Sequence, residues 1–192
     1  MGMRMEQLTA FGSSFAEMVA SGGSGHPPIP ADNRILFYTR DRETFSILSN
    51  FARTPIRLAR VLWPTVEHFY QAQKSFDPQY RAAILEAPTP GIAKNLGADP
   101  ALPRRRSRRS WFRRNGSELR QDWEEVKIDV MRRAIAAKFA QHPALAAALR
   151  ATGTAQLMED SPVDPFWGTG PDGNGLNWAG RILMEIRDRQ RE

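Results

Sequence analysis

The sequence predicts a mainly helical α+β domain: packed helices with a small, short-stranded sheet. Three observations predict it. Residues 119–142 carry Trp123, Val126, Val130, Ala134, Ala137 and Phe139 as an apolar stripe at helical spacing, with Met131 and Ile135 beside it. Thr65, just after Trp63-Pro64, has the side chain and position of a helix N-cap. The strand candidates, by contrast, are short: Ile35-Leu36-Phe37-Tyr38 and residues 56–62, where Ile56, Leu58 and Val61 are apolar and Arg57 and Arg60 polar.

Composition bounds the function. At 192 residues the chain suits one domain with a real core, and its 41% hydrophobic content is ordinary. There is no cysteine, so disulfides, thiolate zinc sites and cysteine nucleophiles are excluded, and a reducing compartment is compatible. Only His26, His68 and His142 occur, in no metal-binding spacing, so no metal and no cofactor is expected. The net charge is +6, a field that attracts phosphates or nucleic acid. Arg104, Arg105, Arg106, Arg108, Arg109, Arg113 and Arg114 concentrate it in one short run. No apolar stretch approaches the ~20 residues a membrane helix needs. The N-terminus, with Arg4, Glu6 and Glu17 and no continuous apolar segment, does not read as a secretory signal, so a cytoplasmic location is expected. The oligomeric state is left open.

Taken in order, residues 1–32 read as a disordered or loosely docked extension. Phe11, Phe15 and Val19 allow a turn or two of amphipathic helix before a Gly/Ser/Pro stretch that breaks regular structure. The domain then runs from 33 to 192. Ile35 to Tyr38 is a strand ended by a charged turn at 39–43, and Ser49-Asn50-Phe51 is a turn between apolar anchors. Residues 56–62 make a second strand with Pro55 at its start. The Thr65 helix follows, then short helices at 78–87 and 92–96, with Gly97 placed as a helix C-terminal glycine. An arginine-rich loop or insertion occupies about 100–117. The long helix over 119–142 stops at His142-Pro143, and another helix covers 144–151. Leu157-Met158-Glu159 is a short strand or bridge, and residues 161–175 are too rich in glycine and proline for a regular element. Asn177 caps a last helix in which Ile182, Leu183 and Ile186 face the core. Gly180 in its first turn costs about 1 kcal/mol against alanine, which points to close backbone approach.

Some residues carry chemistry. On the Thr65 helix, Glu67, Tyr70, Gln71 and Lys74 share one side at i, i+3, i+4, i+7, beside an apolar face of Val66, Phe69 and Tyr70. Spacing alone is satisfied by a surface helix with a solvated stripe or by one wall of a polar pocket. The glycine loop at 168–175 precedes a helix, but it lacks the Gly-Lys-Ser/Thr ending and the long apolar strand of a nucleotide-binding loop. Asp164 and Trp167 pair a carboxylate with a ring on the same loop. The arginine run is open to three readings: a solvated, disordered insertion, a contact to nucleic-acid backbone with Trp111 and Phe112 as stacking surfaces, or a cover over a phosphorylated small ligand.

These residues carry a resemblance. Leu48-Ser49-Asn50-Phe51, the block from Trp63 through Glu67 to Lys74, Asp122-Trp123-Glu124-Glu125-Val126-Lys127 with Val130-Met131, Lys138-Phe139, and Asp164-Pro165-Phe166-Trp167-Gly168 through Asn177 to Arg187 resemble, in order, the YbiA-like or NADAR family. The N-terminal extension and the arginine-rich segment depart from it. The resemblance implies a mostly helical fold with a small sheet and N-glycoside hydrolysis. Its substrates would be phosphoribosylated intermediates of riboflavin synthesis, or ADP-ribose attached to guanine bases in nucleic acid.

The chemistry fits the residues. Breaking a ribose C–N bond builds positive charge on the anomeric carbon and ring oxygen, which a carboxylate stabilises, while an acid protonates the leaving base. Glu67 and Asp164 are the expected carboxylates, on the logic of paired-carboxylate glycosidases. Tyr70 and Trp167 offer stacking surfaces, and Asn50 can fix a hydroxyl or base edge. Phe51, Gly168 and Asn177 complete the expected substrate-binding set by the family match. Lys74 is expected either to hold a phosphate or to attack the opened sugar's aldehyde carbon, a step that needs a neutral amine. The expected function is removal of ADP-ribose from guanine in nucleic acid, with contacts from Arg104, Arg105, Arg106, Arg108 and Arg109. The alternatives are hydrolysis of the riboflavin-pathway intermediates and a non-catalytic ADP-ribose or nucleic-acid binding module.

Overall fold

The computed structural model describes residues 29–38 and 45–190, and among them it has eight α-helices and four short strands. The fold is mainly helical, as the sequence predicts. The expected N-terminal extension, up to residue 28, and the charged turn at 39–43 lie outside the described residues. The described chain forms two compact units, one of Thr54–Lys138 and one of residues 29–53 with 139–190.

The Thr54–Lys138 unit begins with a correction. The single strand expected over 56–62 is two antiparallel strands, β1 (Ile56–Leu58) and β2 (Val61–Trp63), with Ile56 opposite Trp63. Ala59 and Arg60 between them both have left-handed backbone, at φ 51° and 64°. That is the two-residue turn whose twist matches a hairpin, made here without glycine or asparagine. Three helices follow: α1 (Val66–Ala72), α2 (Pro78–Leu85) and α3 (Pro90–Leu96). Each starts by the same device. The side chains of Thr65, Asp77 and Thr89 accept backbone N–H groups of the first turn, from His68, Gln79 and Ile92, and proline takes the first helical position of α2 and α3.

Gly97 ends α3 as expected, but not for the expected reason. Its φ is −85°, which any residue adopts. A side chain there would put its Cβ 2.1 Å from Gln71 Oε1 and 2.8 Å from the Tyr80 hydroxyl, so crowding demands the glycine. The arginine-rich segment is not a loop. It holds two short helices, α4 (Arg104–Ser107) and α5 (Trp111–Asn115). Phe112 is buried with its ring 4.8 Å from that of Tyr80, and the Ser110 hydroxyl donates to the Ala98 carbonyl at 2.6 Å.

The long helix, α6 (Trp123–Gln141), starts four residues later than its periodicity predicts. The preceding backbone is engaged elsewhere: the Arg120 N–H donates to the Lys74 carbonyl at 2.9 Å, and its guanidinium pairs with Asp122 at 2.6 Å. Met131, Ala134 and Ile135 are buried along the predicted stripe. So is Lys138, whose amine burial lowers to about 7.

In the other unit β3 (Arg34–Phe37) pairs in parallel with β4 (Gln156–Glu159), Ile35 opposite Leu157. Alternate residues Ile35, Phe37 and Leu157 are buried. Helices α7 (Pro143–Ala151) and α8 (Trp178–Arg189) complete it. Asn177 stands at the N-cap of α8, but its side chain does not cap. It has left-handed backbone at φ 51°, and its amide group donates to the Leu157 carbonyl and accepts from the Glu159 N–H, stapling the helix start to β4.

The close approach expected at Gly180 is present: a Cβ there would lie 2.0 Å from the Leu157 carbonyl oxygen and 2.5 Å from Asn177 Nδ2. Backbone on one side and a stapled amide on the other leave no soft neighbour to yield. Gly180→Ala is expected to destabilise the protein by about 3 kcal/mol or more despite alanine's better helix propensity, measured by urea unfolding. A change below about 1 kcal/mol would show that the helix moves freely off the strand. Among the described residues, no helix is long and apolar enough to cross a membrane, and no cluster of acids and histidines is placed to hold a metal.

Candidate active site on helix α1

Every residue of α1 is buried, which removes the solvated-stripe reading. A seven-residue helix that carries Glu67, His68 and Gln71 inward must satisfy them internally, because an unpaired polar group in such surroundings costs about 1–3 kcal/mol. His68 is satisfied locally. Its Nε2 donates to the Ala87 carbonyl at 3.0 Å, so Nδ1 is left to accept from the Thr65 hydroxyl at 2.8 Å. Burial lowers its pKa against the raising effect of Ala87, so the ring stays neutral and fixes the helix start.

Glu67 is 5% exposed. Gln71, one turn on, donates its amide N–H to Glu67 Oε1 at 2.7 Å. Gln71 Oε1 lies beside Gly97 and has no hydrogen-bond partner among the described residues. The amide is therefore turned to serve the carboxylate at the cost of its own acceptor. Tyr80 donates to the Gln71 main-chain carbonyl at 2.7 Å. Burial and then the Glu67 charge push its phenol upward, so it remains a donor.

Lys74 sits two residues beyond α1. Its ammonium donates to the Gly97 carbonyl at 2.7 Å and lies 5.6 Å from the centre of the Tyr70 ring and 5.7 Å from that of Trp123. The two rings are 5.0 Å apart. Sequence reading places Glu67, Tyr70, Gln71 and Lys74 on one side of the helix. It misses Trp123 and the Gly97 carbonyl, which no local spacing announces.

The remaining expected residues lie in the other unit. Asp164 Oδ1 accepts the N–H groups of Phe166 and Trp167 at 3.1 and 3.0 Å, which ties the carboxylate into its own turn and orients Trp167. The Trp167 and Phe166 rings meet edge to face at 5.0 Å. Gly168 packs so tightly that a Cβ would lie 2.6 Å from the Glu159 carbonyl, and one on Gly175 would lie 2.4 Å from the Gly168 carbonyl. This close packing accounts for both glycines without a phosphate. Asn50 is buried in the turn that follows the 3₁₀ segment Ser46–Leu48, and the Phe51 N–H donates to the Ser49 hydroxyl at 3.1 Å.

Comparison with known proteins shows the family. A family model described as the NADAR domain matches residues 36–191. The N-glycosidase YbiA of Escherichia coli K12 is 40% identical over 158 residues, covering 82% of this chain and 89% of that protein. The chloroplastic riboflavin biosynthesis protein PYRR of Zea mays is 38% identical over 169 residues, covering 82% of this chain but 25% of that longer protein. The NMR structure of E. coli YbiA is similar with a TM-score of 0.66 at 36% identity, covering 85% of this chain and 93% of that one. In sequence and in fold alike, the chain belongs to the NADAR domain family.

Proposed function

We propose that the protein hydrolyses the bond between a ribose anomeric carbon and the nitrogen of a base, and that its substrate is ADP-ribosylated guanine in nucleic acid. As a member of its family it is an N-glycosidase, the activity for which the E. coli relative is named. One observation carries the assignment of the chemistry to α1. A buried carboxylate, Glu67, is held by Gln71, and an ammonium, Lys74, is held by the Gly97 carbonyl beside the paired Tyr70 and Trp123 rings, seven residues further along.

In this reading Glu67 faces the positive charge that develops on the sugar as the C–N bond stretches. A water oxygen bonds to the anomeric carbon, and the base departs with a proton. Lys74 supplies positive charge to a phosphate oxygen, or its amine adds to C1 of the opened sugar and the base nitrogen leaves with a proton, forming a lysine imine that water cleaves to the free sugar aldehyde and the amine. Asp164, Trp167, Asn50, Phe51, Gly168 and Asn177 are proposed as further contacts on the strength of the family motifs. The net charge of +6 supports a polyanionic substrate. A second reading, hydrolysis of a phosphoribosylated riboflavin-pathway intermediate, is favoured by the relative that carries a riboflavin biosynthesis name.

The test gives the protein a single-stranded oligonucleotide bearing ADP-ribosyl guanine and, separately, a ribosylaminopyrimidine phosphate, and follows released sugar by mass spectrometry. Faster release of ADP-ribose from the oligonucleotide is expected. Preferential turnover of the pyrimidine would favour the second reading. Binding without release of either product would leave a non-catalytic module.

A further inference from the structure

Seven arginines and one acid, Asp99, fall within residues 98–116; the other 20 Lys and Arg of the chain are matched by 20 Asp and Glu. The whole net charge of +6 therefore resides in this one segment, and the rest of the chain is neutral. The segment is built to hold its shape. Phe112, Ser107 and Ser110 are buried, and the Ser107 and Ser110 hydroxyls donate to the Leu102 and Ala98 carbonyls at 2.9 and 2.6 Å. Arg113 donates to the Pro100 and Leu102 carbonyls. Arg104, Arg105, Arg106, Arg108 and Arg109 are exposed and form no ion pair among the described residues. A rigid scaffold that displays unpaired guanidinium groups is neither a solvated tail nor a core element.

The scaffold is bolted to a groove. Trp111 Nε1 donates to the Ser117 hydroxyl, which donates to the Asp77 carboxylate and holds it below the usual carboxylate range. Residues 75–77 and 118–122 line an open groove of about 680 Å³. Its most prominent group is Phe76, 72% exposed, with the Arg120 guanidinium stacked 4.8 Å from its ring centre. Of the three acids here, Asp122 is paired bidentately with Arg120 at 2.6 and 2.7 Å, Asp77 accepts from Ser117 and from the Gln79 N–H, and Glu118 is exposed. An exposed ring and a stacked guanidinium suit the flat face of a base, and three acids, Asp77, Glu118 and Asp122, against the one Arg120 make the groove a poor seat for a phosphate. The arginines suit the phosphates.

The geometry points to a binding track for single-stranded nucleic acid, with the arginines of α4 and its flanks on the phosphates and Phe76 with Arg120 as the stacking platform for a base. The track also continues toward α1. Gly97, whose carbonyl holds Lys74, is followed by Ala98, whose carbonyl anchors Ser110, and the Arg120 N–H donates to the Lys74 carbonyl. The inference rests on the nucleic-acid reading of the substrate proposed above, and it is tested by affinity without any turnover.

The probe is a fluorescein-labelled oligothymidylate of about 12 nucleotides, titrated by anisotropy at several salt concentrations. For the quadruple variant Arg104→Gln, Arg105→Gln, Arg108→Gln and Arg109→Gln, the slope of log affinity against log salt is expected to fall in magnitude by about 3. Phe76→Ala is expected to weaken binding about fivefold or more with the slope unchanged. Thermal unfolding of both variants controls for folding. No binding by the unmodified protein, or an unchanged slope in the quadruple variant, overturns the proposal. So does displacement of the oligonucleotide by polyglutamate at equal charge together with a silent Phe76→Ala, which would mark a general polyanion surface. Failure of the hydrolytic reading is seen separately, as no sugar release from ADP-ribosyl guanine in either nucleoside or oligonucleotide form.

Discussion

Glu67→Gln is expected to lower kcat on the ADP-ribosylated oligonucleotide about 100- to 10,000-fold and to leave the fold intact. The exchange keeps the shape, removes the charge and turns one acceptor oxygen into an amide donor. Gln71 Nε2, 2.7 Å from Glu67 Oε1, can donate to an amide oxygen as it does to a carboxylate, so this bond is kept. Removing a charge from a site 5% exposed also removes a desolvation cost, so the unfolding midpoint is expected to hold or rise. Rate and stability then move in opposite directions, which a merely structural Glu67 cannot produce. Full retention of rate in the glutamine variant would sink the assignment. Single-turnover release of ADP-ribose, set beside a thermal melt, reads both quantities.

The second large effect is expected at Lys74. Lys74→Met preserves the length and apolar stem of the side chain but removes the ammonium that bonds to the Gly97 carbonyl and faces the Tyr70 and Trp123 rings. A loss of about 100-fold or more in kcat/KM is expected, since either role of the amine, cation or nucleophile, is abolished. Two further readouts separate these roles. Borohydride added during turnover traps an imine as a covalent adduct on Lys74 if the amine attacks the sugar. Lys74→Arg recovers part of the activity, with no adduct in the unmodified protein, if the group acts only as a charge. A Lys74→Met protein with unchanged kcat/KM would remove Lys74 from the site.

Much of this was legible before any coordinates. Thr65 is a local signal, because a cap and its N–H partner lie within three residues of each other; Asp77 and Thr89 cap their helices by the same rule, while Asn177, read as a cap, turns its side chain to β4 instead. The stripe on α6 and the need for a small residue at Gly180 were readable for the same reason of short range. Errors arose where a distant group overrode the local pattern. The periodicity of 119–142 extends past the true start of α6 because Arg120 is bonded to Lys74, far away in sequence. Gly97 is readable as a helix C-terminal glycine and is one, but Gln71 and Tyr80, which crowd its Cα hydrogens, are not readable from its neighbours in sequence. The strand at 56–62 was divided by two left-handed residues that carry none of the usual turn chemistry. The arginine run lacks helical apolar periodicity, so nothing in its spacing announced that Phe112, Ser107 and Ser110 would anchor it.

By itself the sequence determined the family, the helical class, the Thr65 cap and the polar side of α1, because each depends on residue types within a turn or two of one another. The tertiary structure alone decided that this polar side is buried, that Gln71 surrenders its own acceptor to hold Glu67, and that Lys74 lies beside two paired rings and bonds to a carbonyl. Those features join Lys74 to Gly97 and Trp123 across long stretches of chain. They exist only once packing has excluded the water that would otherwise satisfy each group on its own.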